Sequence, residues 1–233
     1  SLLTSHVANG SRDKSFHDPG VKRYYFTKAG FSADNLYIAA YDQLTGKTRV
    51  WDHENGELIH NLDTSCGLSW NISFSLHNDK IVNICHQAIT IWDALSGKEL
   101  EKIRAIDLGI EGSIWRGAFT PEFNYFAVSI NKKVYVVDIE NKEIINSYYF
   151  GYSVARLNFS SDGTEISALS VNGTLGIWNV ATGVRRVKTA KHNIHAPGGI
   201  VLVDSIMDAS PDSQYIAGVQ GLKIGLWRLV DLN

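Results

Sequence analysis

The chain has 233 residues, 44% of them hydrophobic and 20% charged, with a formal net charge of -2. That is enough ordinary globular material for a sizeable core, and the charge balance excludes both a general basic surface for nucleic acid and an acidic disordered tail. Six Trp, an aromatic share of 11% and only four Pro favour strands over helices.

Two cysteines, Cys66 and Cys85, are too few for a disulfide framework or a four-ligand zinc site, so both are expected as thiols in a reducing compartment. Four sequons, at Asn9, Asn71, Asn158 and Asn172, are read as chance matches, since Asn71 and Asn158 fall inside predicted strands. No apolar run approaches the ~20 residues of a membrane span. The opening Ser1-Leu2-Leu3-Thr4 is too short and polar for a signal peptide and lacks an initiator Met. A fragment, a processed product or a trimmed chain is therefore expected.

Residues 1–20 read as a polar, loop-like segment with turn signals at Asn9-Gly10 and Pro19-Gly20, and only the stretch 1–8 has strand character. From Val21 onward one phrase repeats. It is anchored on a turn hydroxyl at Ser32, Ser75, Thr120, Ser160 and Ser210. The preceding residue is Phe31, Phe74, Phe119, Phe159 or Ala209. A large residue follows each anchor at one fixed offset (Ile38, Ile81, Phe126, Ile166, Ile216), and a small or short one comes next (Ala39, Val82, Ala127, Ser167, Ala217). A tryptophan column then falls at Trp51, Trp92, Val137, Trp178 and Trp227, followed in four units by Asp52, Asp93, Asp138 and Asn179. A glycine turn closes three of the units, at Gly56, Gly97 and Gly183, while the third unit uses Asn141-Lys142.

A period of roughly 40–45 residues with four strand signals per unit is the pattern of a propeller blade. Through Val50-Trp51-Asp52, Ile91-Trp92-Asp93, Val136-Val137-Asp138 and Ile177-Trp178-Asn179, the chain resembles the WD-repeat β-propeller family over residues 21–233. The resemblance implies an all-β fold, a β-propeller of four-stranded antiparallel blades. Its units span about 21–63, 64–104, 105–148, 149–190 and 191–233. The segment 1–20 is then a loop or a closing strand. The last unit ends at its third strand, so the ring closes either by a strand from residues 1–8 or as the end of a larger propeller, and the larger propeller is favoured.

The third strand is apolar on both faces, as a strand sandwiched between neighbouring sheets requires. The small residue of the second strand is expected where inner strands crowd a central channel. The family's Gly-His and turn Asp are irregular here, with Thr45, His86, Asn131, Asn172 and Gly221 in the turn positions. Packing rather than a buried polar tetrad is expected to hold the blades.

No nucleophile elbow, phosphate loop, dinucleotide motif or zinc-protease helix is present. The recurring Asp52, Asp93 and Asp138 read as turn chemistry. His192 and His195 lie on a loop with Pro197-Gly198-Gly199 and have no further ligands nearby, so no metal and no cofactor is expected. Arg185, Arg186, Lys188 and Lys191 form a basic run on a predicted outer strand, where charge blocks edge pairing; the alternative is a patch for phosphate, RNA or an acidic partner. Trp70 and Trp115, the latter followed by Arg116, stand at the start of first strands. They are either plugs between blades or partner-binding anchors.

The resemblance and the empty catalytic search imply a non-enzymatic scaffold for protein–protein interaction within a multi-subunit complex. The alternatives are the sensory propeller of a multidomain signalling ATPase and a subunit of an RNA–protein assembly. Candidate partner-binding residues are Trp70, Trp115, Arg116, Arg185, Arg186 and His192. No membrane partner is implied, and the expected compartment is the cytoplasm, with the nucleus as the alternative.

Overall fold

The structure, a computed structural model, describes residues 2–5, 12–16, 18, 20, 22–23, 25–65, 67–170, 175–189, 207–209, 215–220 and 223–228. The described part is all-β, with one 3-10 turn at Ala105–Leu108 and no α-helix. The strands are β1 (Leu2–Ser5), β2 (Arg12–Phe16), β3 (Phe26–Phe31), β4 (Tyr37–Asp42), β5 (Lys47–Asp52), β6 (Leu58–Asp63), β7 (Ser69–Phe74), β8 (Lys80–Cys85), β9 (Ala88–Asp93) and β10 (Glu99–Arg104). They continue as β11 (Arg116–Phe119), β12 (Tyr125–Ile130), β13 (Lys133–Asp138), β14 (Glu143–Tyr149), β15 (Val154–Phe159), β16 (Glu165–Ser170), β17 (Leu175–Asn179), β18 (Arg185–Thr189), β19 (Met207–Ala209), β20 (Tyr215–Gln220) and β21 (Lys223–Arg228).

Consecutive strands pair antiparallel into four-stranded meanders β3–β6, β7–β10, β11–β14 and β15–β18, a three-stranded sheet β19–β21, and a hairpin β1–β2. No sheet closes on itself. The chain divides into two compact units, Ser1–Asp107 and Leu108–Asn233.

Every meander begins with the same hairpin, and the anchor hydroxyl explains it. Ser32 Oγ accepts the Tyr37 N–H at 2.8 Å, Ser75 Oγ that of Lys80 at 3.0 Å, Thr120 Oγ1 that of Tyr125 at 3.1 Å and Ser160 Oγ that of Glu165 at 2.9 Å. The anchor's own N–H donates back to the carbonyl of the same residue in all four hairpins. The short side chain thus clamps a four-residue turn. The third residue after each anchor is left-handed: Asn35, Asn78, Phe123 and Gly163 have φ of 62, 59, 55 and 71°. In Ser32 and Ser160 the hydroxyl also donates to Asp34 and Asp162, whose carboxyls are held below the usual range first by that bond.

Asp52, Asp93, Asp138 and Asn179 cap the turn after the third strand. Their Oδ1 atoms accept backbone N–H groups at 2.7–2.9 Å, from Glu54 and Asn55, Ser96, Asn141 and Thr182 respectively. Gly56, Gly97 and Gly183 then take left-handed φ.

Trp51, Trp92, Val137 and Trp178 are all buried. The second sheet's Trp92 clusters with Ala39, Val50 and Leu62 of the first, and Trp178 with Ala127, Val136 and Tyr148 of the sheet before it. Each indole therefore faces the preceding meander within its unit. The small residue of the second strand is explained by this contact, since Ala39 and Ala127 lie on the face that receives the next sheet's indole. The expectation that crowding at a channel requires it is replaced by this packing reason.

Sheets approach closely at their first strands, where a Cβ on Gly30 would sit 3.0 Å from the Ile72 carbonyl oxygen. Trp178 adds a second glycine requirement. Its indole lies across Gly176, stacked on Tyr148 at 4.8 Å, edge-on to Phe150 at 5.7 Å and beneath the Arg185 guanidinium at 5.1 Å. A Cβ on Gly176 would fall 2.2 Å from the ring.

Three features differ from the sequence expectations. Residues 1–20 contain the β1–β2 hairpin, whose first strand lies within the 1–8 stretch of strand character and whose second falls where a loop is expected, and Phe16 is buried against Trp51 at 6.2 Å. Polar groups are also buried in the first unit. Thr64, Thr48, Asn83 and Ser69 form a chain of hydrogen bonds of 2.8–3.2 Å between two sheets. Arg49, 1% exposed, holds Asp42 at 2.9 Å and Asp18 at 3.1 Å. Finally, Cys85 is disulfide-bonded, so the two-thiol expectation does not hold; the other cysteine, Cys66, lies outside the described residues.

Burial raises the Asp42 carboxyl, but donors from Tyr25 N–H, Thr45, Leu44 N–H and Arg49 outweigh it and hold the group below 3.8. The stabilisation is therefore present above that value and lost as pH falls through the lower, folded-state value. Asp42→Asn removes the buried one of the two carboxylates that hold the Arg49 guanidinium and is expected to cost up to ~3 kcal/mol near neutral pH. Denaturant melts from pH 6 to 2.5 are expected to show a shallower acid loss in Asp42→Asn than in the wild type; parallel curves would contradict the assignment. Gly176→Ala drives a methyl into an indole fixed on three sides and should cost ~1–3 kcal/mol, read as a lower melting temperature.

Candidate functional site

Three of the four first strands share an irregularity that decides which side chains face outward. Register shifts place Thr27 of β3, Trp70 of β7 and Ala155 of β15 opposite a break in the ladder. Trp115 occupies the same column just before β11, its N–H donating to Ser129 O at 2.9 Å. A bulge adds one unpaired residue and re-aims its side chain.

The two tryptophans at this column have different surroundings. Trp70 is half-buried, its ring 6.4 Å from that of His86. Trp51, Trp92 and Trp178 are buried, whereas Trp115 is 54% exposed. Its neighbour Arg116 bonds to backbone: Nε donates to Ala155 O at 2.8 Å and Nη1 to Trp115 O at 2.6 Å. The guanidinium thereby ties β11 to the bulge of β15 and fixes the backbone carrying the indole.

Beside Trp115 lies a cavity of about 280 Å³, lined by Trp115, Ser129, Ile130, Asn131, Lys132, Ser153 and Val154. Its floor is aliphatic, with Ile130 and Val154 buried. Its rim is the two-residue turn between β12 and β13. There Asn131 and Lys132 both take left-handed φ, 51 and 73°, the geometry of a tight hairpin. Lys132 O accepts from Phe150 N at 2.9 Å and Gly151 N at 3.3 Å, and Asn131 Nδ2 donates to Glu111 O at 3.2 Å. The rim is therefore held on both sides. The site offers an indole, an aliphatic floor, one ammonium and two hydroxyls. A smaller cavity of about 170 Å³, between the anchor turns, is lined by Thr120, Tyr125, Asp162 and neighbours.

The remaining sequence candidates fall elsewhere. Arg185 lies over Trp178, and burial lowers its pKa. Arg186 lies on β18, but its side chain is outside the described residues, as is the whole of His192. Among the described residues, no group of three His, Cys, Asp or Glu side chains is placed to hold a metal ion. The sequence reading singled out Trp115 but missed the cavity, because Ser129 carries no motif. The signal was the Ser itself, in a column otherwise filled by large residues.

Comparison with protein-family models finds no match for the chain, and no curated protein matches it.

Proposed function

We propose that the chain is a WD-repeat-type β-propeller, or a run of blades from one, and that it acts as a scaffold for protein–protein interaction. Four clamped meanders with a repeated buried indole support the architecture. One observation carries the function: Trp115 stands half in solvent on backbone fixed by Arg116, beside a formed cavity. An amphipathic indole on rigid backbone gives contact area at little ordering cost, which is how interface anchors work. The non-enzymatic reading rests on the absence of a catalytic motif in the sequence. A disulfide-bonded Cys85 supports an oxidising compartment and removes the thiol argument for the cytoplasm or nucleus. No helix among the described residues is long and apolar enough to cross a membrane.

The test is photo-crosslinking in the native cell. A benzoyl-phenylalanine replacing Trp115 is expected to crosslink to protein, while the same group replacing Leu95, a turn residue 89% exposed, is expected not to. Equal labelling from both positions, or crosslinks to RNA alone, would contradict the scaffold reading.

A further inference from the structure

The cavity beside Trp115 falls where one column of the repeat changes from a large residue to a small one. Nine positions after each anchor, at the end of the second strand, stand Tyr41, Ile84, Ser129, Leu169 and Val219. Tyr41, Ile84 and Leu169 are buried. Tyr41 shows what the column does when it is filled: its ring is 1% exposed, and its hydroxyl donates to the Gly67 carbonyl on the segment leading into β7. In the third meander the equivalent direction leads to Ser153 and Val154, on the segment leading into β15, and there the small Ser129 leaves about 280 Å³ open. The Ser129 residue is 3% exposed, and its Oγ is buried with no hydrogen-bond partner. A buried hydroxyl without a partner is unfavourable, so the site gains from a ligand that brings a polar group to it.

We propose that this cavity receives the tyrosyl side chain of a partner protein, which fills in trans the space that Tyr41 fills in cis in the first meander. The size fits: the cavity lies below the range of drug-sized pockets and suits one side chain. The chemistry fits as well. Trp115, Ile130 and Val154 offer apolar surface to the ring, and aromatic pairs gain beyond area alone. The phenol hydroxyl is placed on the side of the cavity lined by Ser129 and Ser153, where a turn of the Ser129 side chain presents its Oγ. Lys132 on the rim favours an acidic residue next to the tyrosine. Ser129 thus acts as a specificity residue, and a large aliphatic residue there would close the site.

This inference rests on the scaffold reading and narrows it to one site and one side chain. It is tested with N-acetyl-tyrosinamide, using N-acetyl-phenylalaninamide as the control and the Trp115 indole N–H resonance as the readout. The tyrosine probe is expected to shift that resonance and to bind about five-fold more tightly than the phenylalanine probe, the effect of one hydrogen bond. Ser129→Leu is expected to weaken tyrosine binding at least about ten-fold with no fall in melting temperature, since it fills a cavity. Trp115→Ala, a surface change, gives the same loss if Ser129→Leu perturbs folding. Unchanged affinity in these variants, or equal affinity for the two probes, would overturn the proposal. Protein crosslinks from position 115 that persist in Ser129→Leu would overturn the tyrosyl site while leaving the scaffold reading standing.

Discussion

The structure depends on one hydrogen-bonded device, the hydroxyl clamp that opens each meander. A Ser or Thr is the right choice because its side chain is short enough to reach back to its own hairpin and carries both a donor and an acceptor. With the anchor N–H and Oγ both engaged by the residue five positions on, the two strands leave the turn in one register. Register decides which face each side chain takes. It sets Ile38, Ile81, Phe126 and Ile166 beside the tryptophan column and sends Ala39, Val82, Ala127 and Ser167 to the other face. A slip of one residue would put indoles against indoles and leave the small residues facing a gap. The anchors are accordingly buried, although they are polar residues in turns.

Because the device repeats, most of the architecture was legible in the sequence. Anchors, tryptophans and turn carboxylates recur in fixed columns, and a column is readable where a single residue is not. Turn capping by Asp52, Asp93, Asp138 and Asn179 follows from the same regularity. One inference from the columns was right in position but wrong in cause: the small second-strand residue makes room for the next sheet's indole.

What the sequence concealed occurs only once. Asp42 and Arg49 are charged residues within apolar strands, and neither has an equivalent in another meander. Their pairing required the fold to bring Asp18 and the Tyr25 N–H to the same place. The second strand of the β1–β2 hairpin was hidden by polar composition, although its Phe16 is buried against Trp51. Cys85 stands in the column that Asp42 occupies, where a buried position was legible but disulfide bonding was not. Ser129 is the sharpest case, because its importance lies in what it fails to fill.

The candidate binding site lies where the repetition fails. Trp92 and Trp178 face a neighbouring meander, whereas Trp115 stands just before β11, half in solvent, with Arg116 beside it and an open cavity next to it. Repeated residues build the frame, and the exceptions within it form the candidate binding surface. This account requires the clamps to be in place, since the cavity rim and the indole are both set by strand register. Native-state hydrogen exchange at the amides of Tyr37, Lys80, Tyr125 and Glu165 tests that most directly. The account predicts that all four are protected to nearly the level of the central strands, although each follows an exposed turn. Exchange at the rate of the neighbouring turn amides would show that the hydroxyls do not hold the hairpins and would contradict it.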